Sequence, residues 1–244
     1  MEVSRIRALR GPNLWSRHTS IEAVVTCSVD ESNIDHIDGF ESRLRERFPA
    51  IGLLQLMGHS ESVSMAHVLQ IAALGLQSQS GCAVTFSRTA ATQEKNVYQV
   101  VFEYSEEAVG RQALVLAEQL CQAAVADTPF DLAAAIVELK ELDEDVRLGP
   151  STGAIVQAAV ARGIPYRRLT EGSLVQFGWG SRQRRIQAAE TDRSSAIAEA
   201  IAQDKELTKK LLNAAGVPVP IGREVSNIED AWLAMQEIGG AAVY

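Results

Sequence analysis

The chain has 244 residues, 46% of them hydrophobic and 22% charged, with a formal net charge of −8 and three cysteines. That length can bury one large core or two modest ones without staples, and no apolar run approaches the ~18 residues of a membrane span. MEVSRIRALRGPNLW is no secretory leader, and the isolated Cys27, Cys82 and Cys121 fit neither a disulfide framework nor a zinc spacing, so buried free thiols in a reducing cytoplasm are expected.

The charge is unevenly spread. Residues 1–159 hold 12 basic and 21 acidic side chains, whereas residues 160–244 hold 11 and 10. An acidic first part argues against nucleic acid as a partner, and the change of sign places a boundary between two units near residue 150. In the first unit, Ser20–Asp30 is rich in β-branched residues and reads as a strand. Ile37, Phe40, Leu44 and Phe48 recur at helical spacing, and SVSMAHVLQIAALGLQSQ predicts a buried helix stopped by Gly81. CAVTFSRTA and NVYQVVFEYS read as strands joined by the polar hairpin ATQEKN. A long amphipathic helix follows, with Ser105 as its expected cap and Glu106 and Glu107 favouring its positive end. DTPFD breaks the chain before a last helix, Asp131–Leu148.

The second unit opens on GPSTGAIVQAAVARG, a helix that Ser151 or Thr152 can cap; GPSTG also allows an anion nest, though it lacks the Gly-Lys-Ser/Thr of a P-loop. SLVQFGWGSRQRRIQA predicts two strands, with Gly178 and Gly180 supplying the positive backbone angles of the turn. Three helical segments follow, Thr191–Gln203, Asp204–Gly216 and Asn227–Gly239, with Ser194 or Ser195, Asp204 and Asn227 as caps; GAAVY is apolar and β-like.

Few residues carry chemistry. A lysine at a helix start, such as Lys205, is ordinarily solvated surface, yet the positive helix end disfavours it there by ~0.3–1 kcal/mol, and an anionic ligand would remove the conflict. On a strand, Arg182 and Arg184 share one face and Arg185 takes the other; these arginines protect an edge, or form a guanidinium fork for carboxylate or phosphate. His59 and His67 lie eight residues apart and no second ligand stands at helical spacing from His67, so no metal site is assigned, and spacing alone assigns no catalytic residue.

Together, LRGPNLWS, YQVVFEYSEEAVGRQAL, LGPSTGAIVQAAVARGIPYRRL and SLVQFGWGSRQRRIQAAETDRSSAIAEAIAQDKELTKKLLNAAGVPVPIG resemble the cyanophycin synthetases. The resemblance implies an α/β chain: an α+β N-terminal domain over 1–149 and the opening part of an ATP-grasp ligase domain over 150–244. It implies ATP and Mg²⁺ as cofactors and aspartate, arginine and a cyanophycin primer as partners, with polymer growth through acyl phosphates. Lys205 matches the helix-starting Asp-Lys that commonly contacts nucleotide phosphate in ATP-grasp ligases, and Arg182, Arg184 and Arg185 match the family's QRRI pattern. The chain departs from the family at Gln70 and Ile71, which stand where the family carries Glu and His in its long N-terminal helix. It also ends in IGGAAVY, where a second ATP-binding lysine on a VVVKP-like strand is the family pattern. The expectation is therefore a cytoplasmic, truncated member, inactive alone. The alternative is a non-catalytic polymer-binding or assembly module, with homo-oligomerisation left open. An ATP-grasp ligase of the glutathione or D-alanyl-D-alanine type is a third reading, against which the N-terminal similarity counts.

Overall fold

The computed structural model describes residues 1–52, 54, 62–188 and 190–239. The chain divides into two compact units, Met1–Ala189 and Glu190–Tyr244. Helices are mixed with antiparallel sheets, an α/β chain as the sequence predicts. No described helix is long and apolar enough to cross a membrane.

The first unit is built on an antiparallel sheet of order β1-β2-β4-β3, with β1 at Glu2–Leu9, β2 at Ser20–Thr26, β3 at Ser87–Ala91 and β4 at Val97–Glu103. Register puts Ile21 opposite Phe102 and Ala23 opposite Val100, all fully buried, so alternate residues of the two central strands form one apolar face. Helices α2 (Met65–Gln79) and α3 (Glu107–Ala126) pack against this sheet and against each other, while α1 (Phe40–Arg47) and α4 (Leu132–Val146) pack on α3. The other sheet face holds the buried carboxylate of Glu22, paired with Arg7 and accepting from Trp15 Nε1 at 3.0 Å. Trp15 sits in a loop ordered by Asn13, whose Oδ1 accepts from the Trp15 and Ser16 amides and whose Nδ2 donates to the Gly11 and His18 carbonyls.

Helix α3 approaches the sheet closely because residue 110 is glycine. A Cβ there would lie 2.6 Å from Tyr104 Cβ and 3.0 Å from Ile21 Cγ1. At its far end, Arg43 Nε and Arg47 Nε of α1 donate to the Ala124 and Thr128 carbonyls at 2.6 and 2.7 Å, supplying cations to the negative end of the helix. Asp127 takes the left-handed conformation that closes α3 and pairs with Arg47 at 2.9 Å. All three cysteines are buried and free, and burial pushes the Cys121 thiol up to about 12.

A smaller core follows within the same unit. Helix α5 (Pro150–Ala161) and the antiparallel strands β5 (Tyr166–Arg168), β6 (Leu174–Phe177) and β7 (Arg184–Gln187) bury Val156, Val175 and Ile186, with Leu148, Tyr166 and Phe177 packed around them. Arg168 ties the two cores together. Its Nη1 donates to Glu106 Oε2 at 3.1 Å and to the Val146 carbonyl at 2.6 Å, and its Nε donates to the Gly172 carbonyl at 2.9 Å. Burial raises the Glu106 carboxyl above its ordinary value, and Arg168 opposes that shift.

Several local expectations give way to tertiary contacts. Ser105 does not cap α3: the cap position is Glu106, and the Ser105 hydroxyl donates to Asp143 Oδ1 at 3.3 Å. Neither Ser151 nor Thr152 caps α5, whose cap position is Gly149 with Pro150 as its first residue; Thr152 is buried and donates to the Ala188 carbonyl at 3.3 Å. GPSTG is thus the opening of a helix rather than a nest. The strand predicted from Cys82 begins only at Ser87, and β1 and β5 have no counterpart in the predicted elements. The β3–β4 hairpin follows expectation, with β3 paired to β4, and at the start of α4 the Asp131 side chain accepts from the Ala134 amide. GAAVY lies outside the described residues.

Two helical glycines should respond oppositely to alanine. Gly110→Ala should destabilise by about 1–3 kcal/mol through overpacking, whereas Gly153→Ala, meeting the Leu148 carbonyl at 3.6 Å and the Leu148 Cβ at 4.0 Å in ordinary contact, should gain roughly 0.5–1 kcal/mol; urea unfolding measures both. The Arg10 hydrogen bond to Glu107, at 2.8 Å, holds that carboxyl below its ordinary 4.5. A lowered carboxyl stabilises the fold above its unfolded value and ceases to as pH falls through the folded one. The deficit of a Glu107→Gln variant should therefore be full above pH 4.5 and vanish in stronger acid, as pH-dependent unfolding would show.

Candidate functional site

The second unit holds the short strand β8 (Glu190–Thr191) and helices α6 (Ala196–Gln203), α7 (Lys205–Ala214) and α8 (Ile228–Ile238). Each helix is capped by the residue type its sequence offers. The Ser195 hydroxyl accepts from the Ile197 and Ala198 amides, Asp204 Oδ1 from the Leu207 amide at 2.9 Å, and Asn227 Oδ1 from the Asp230 amide at 2.8 Å. Asp204 thereby fixes where α7 begins and puts Lys205 at its first position.

A cavity of about 1010 Å³ opens between α7, the 220–225 segment and α8, lined by Lys205, Lys209, Arg223, Ile228, Trp232 and Met235 among others. Most of its cations are committed. Lys209 Nζ donates to the Gly222 carbonyl at 2.9 Å, and Arg223 pairs with Asp230 at 2.8 Å and Glu237 at 3.0 Å. One turn along, Lys210 pairs with Glu206 at 2.6 Å. Lys205 is exposed and makes no ion pair or side-chain hydrogen bond among the described residues. An ammonium at a helix start, beside aromatic and aliphatic walls, offers an anion charge and an apolar body a surface at once. The walls are open: Ile221, Ile228 and Trp232 are 83, 75 and 60% exposed, and Ala234 is the only buried residue among those described in this unit.

The arginines lie in the first unit and are arranged otherwise than expected. Arg182 ends a 3-10 turn, Gly180–Arg182, and is not on a strand; only Arg184 and Arg185 occupy β7, on opposite faces. The cause is the connection itself, which takes positive φ at both Gly178 and Gly180 and coils before β7 starts. Arg185 is instead in line with Arg167 across Gln176 of β6. Arg167 escaped sequence reasoning; YRR directly after Pro165 was the available signal, since proline favours extended chain around it.

The family departures in α2 are occupied structurally. Gln70 Oε1 accepts from Thr89 Oγ1 at 2.9 Å, and Ile71 packs on the main core. His67 Nδ1 lies 2.8 Å from Ser64 Oγ at the α2 start and its ring meets Tyr98 edge-on; His59 lies outside the described residues. Among the described residues, no group of three or more His, Cys, Asp or Glu could hold a metal ion.

Residues 23–126 match the family described as the cyanophycin synthase-like N-terminal domain. The chain is 38% identical, over 98% of its length, to cyanophycin synthetases of Trichormus variabilis and of a Nostoc species, and covers 28% of each. It is 33% identical, over its whole length, to the cyanophycin synthetase of a Synechocystis species, covering 30% of that protein. The chain thus spans less than a third of the curated relatives it matches.

Removing the cap should loosen the helix that carries Lys205. Asp204→Ala should cost about 1 kcal/mol and strip the Leu207 amide of its hydrogen-exchange protection, while the amides of α2 and α3 stay protected.

Proposed function

We propose that this chain, whose residues 23–126 match the cyanophycin synthase-like N-terminal domain family, is the front portion of an ATP-dependent carboxylate–amine ligase of the cyanophycin synthetase kind. Residues 1–149 are its N-terminal domain, and residues 150–244 begin its ATP-grasp domain. A core of its own for residues 148–188, separate from the main one, supports a boundary there. The substrates of the whole protein are then aspartate, arginine and a cyanophycin primer, its cofactors ATP and Mg²⁺, and its location the cytoplasm.

The observation that carries this reading is the uncommitted Lys205 ammonium on the wall of a large, partly apolar cavity. Lys205 would neutralise nucleotide phosphate oxygens, helped by the amides of the α7 start. Trp232 and Ile228 offer apolar area to the rest of the nucleotide. ATP, when bound, supplies the phosphoryl group that turns a carboxylate oxygen into a leaving group. The residues present do not make a Mg²⁺ site: in the cavity wall Glu206 is held by Lys210, and Glu224 is the remaining carboxylate. Arg182, Arg184 and Arg185 remain candidates for substrate carboxylate or phosphate contacts.

One observation favours the alternative, a non-catalytic polymer-binding or assembly module. The first unit has a closed core, whereas the second buries a single described residue. Retention of both this chain and residues 1–150 on insoluble cyanophycin would support that alternative.

In a full-length protein carrying this segment, Lys205→Gln should weaken nucleotide binding about tenfold or more, the scale of one charge-assisted phosphate contact. Lys210→Gln should leave it nearly unchanged; equal affinities in both variants and the parent would overturn the assignment. Incubated alone with ATP, Mg²⁺, aspartate, arginine and primer, the 244-residue chain should release no ADP.

A further inference from the structure

Near the turn that joins α3 to α4, the first unit has a cavity of about 470 Å³ between the two helices. Its floor is apolar: Leu116, Ala123 and Ala135 are buried, and Phe130 is half-buried against the main core. Short side chains leave the space open from both sides, Ala123 and Ala126 on α3 and Ala134 and Ala135 on α4. The rest of the lining is polar and of one sign. It includes Asp131, Glu138 and Gln119, and among the described residues no lysine or arginine lines the cavity. Arg43 and Arg47 meet the end of α3 from α1, and neither reaches this side.

Two carboxylates narrow the ligand. Asp131 Oδ1 accepts from the Ala134 amide at 2.9 Å and Glu138 Oε1 from Gln112 Nε2 at 2.6 Å, both neutral donors. Neither carboxylate has an ion pair among the described residues, and the second oxygen of each has no partner there. They are seven residues apart at the start and middle of α4, which puts them on one face and about 10 Å apart along the axis. Apolar floor lies between them. Two anionic points at that spacing, with hydrocarbon between, match a linear aliphatic polyamine: an ammonium at each end and methylenes in the middle. An inorganic cation would leave the floor in water, and a monoamine would leave one carboxylate unanswered. The volume is in the range of small-molecule sites. We propose that the α3–α4 cavity binds a linear aliphatic diamine or polyamine, with its terminal ammoniums on Asp131 and Glu138 and its methylenes on Leu116, Ala123 and Phe130. This goes beyond the ligase reading and depends on neither Lys205 nor nucleotide.

The test is titration of the isotope-labelled 244-residue chain with diaminobutane, diaminoheptane and diaminodecane, followed by amide NMR shifts. Diaminoheptane, whose extended span is nearest the separation of the two carboxylates, should bind tightest of the three, with affinity falling as salt rises. The shifts should centre on the amides of residues 116–138. Asp131→Asn with Glu138→Gln, which keep the cap and the Gln112 contact, should weaken binding about fivefold or more, the scale of two exposed ion pairs. Asp35→Asn with Asp38→Asn, an equal change of net charge outside the cavity, should weaken it by less than about twofold. Ala134→Leu, which fills the cavity and leaves both carboxylates in place, should weaken it as much as the Asp131 and Glu138 pair does. No binding by the parent, affinity that is flat or climbs steadily with chain length, shifts spread over acidic segments elsewhere, equal losses in the two double variants, or parental affinity in Ala134→Leu would each overturn the proposal. Unchanged melting curves confirm that the variants are folded.

Discussion

The contact between α3 and the sheet at Gly110 is the constraint on which the first unit depends. With no side chain there, the helix settles against Ile21 and the Tyr104 Cβ, and Ala113, Leu114 and Ala117 become buried. Everything else in the main core is arranged to hold that helix in place. Arg43 of α1 binds the Ala124 carbonyl in its last turn, Arg47 binds the Thr128 carbonyl just past its end, α2 packs alongside, and α4 covers its outer side. The result is a core that closes on itself, as a domain able to fold alone requires.

The second unit shows the opposite balance. Its helices are well formed locally, because each has a capping side chain at its start, but they leave Ile197, Ile221, Ile228, Trp232 and Leu233 largely in water. Helices of this length gain most of their stability from packing. This fits the proposed role as the opening of a larger nucleotide-binding domain. The small arginine-rich sheet of the first unit is a third case: Arg168 holds it to the main core, and its other cations face outward.

What was legible in the sequence was what local chemistry decides. Ser195, Asp204 and Asn227 act as caps because a short acceptor before a helical run has amides within reach whatever the rest of the chain does. Strands β2 and β4 announced themselves through β-branched and aromatic residues, being the buried centre of a sheet. Ser105 and Thr152 look equally like caps, but Asp143 and the Ala188 carbonyl, distant in sequence, claim their hydroxyls. Strand β1 was hidden because it is an edge strand whose alternation is interrupted at the register shift between Ser4 and Arg7, where Arg5 takes a positive φ. The arginine row was half visible: Arg185 stands out in QRRI, whereas Arg167 joins it only once β5 is paired through β6.

Hydrogen–deuterium exchange on the 244-residue chain tests most directly whether a first unit with closed cores is followed by a second, Glu190–Tyr244, that buries little of its own. Amides of α2, α3, β2 and β4 should exchange only by global unfolding, while those of α6, α7 and α8 exchange orders of magnitude faster. Protection of α6–α8 equal to that of α2 and α3 would contradict the account.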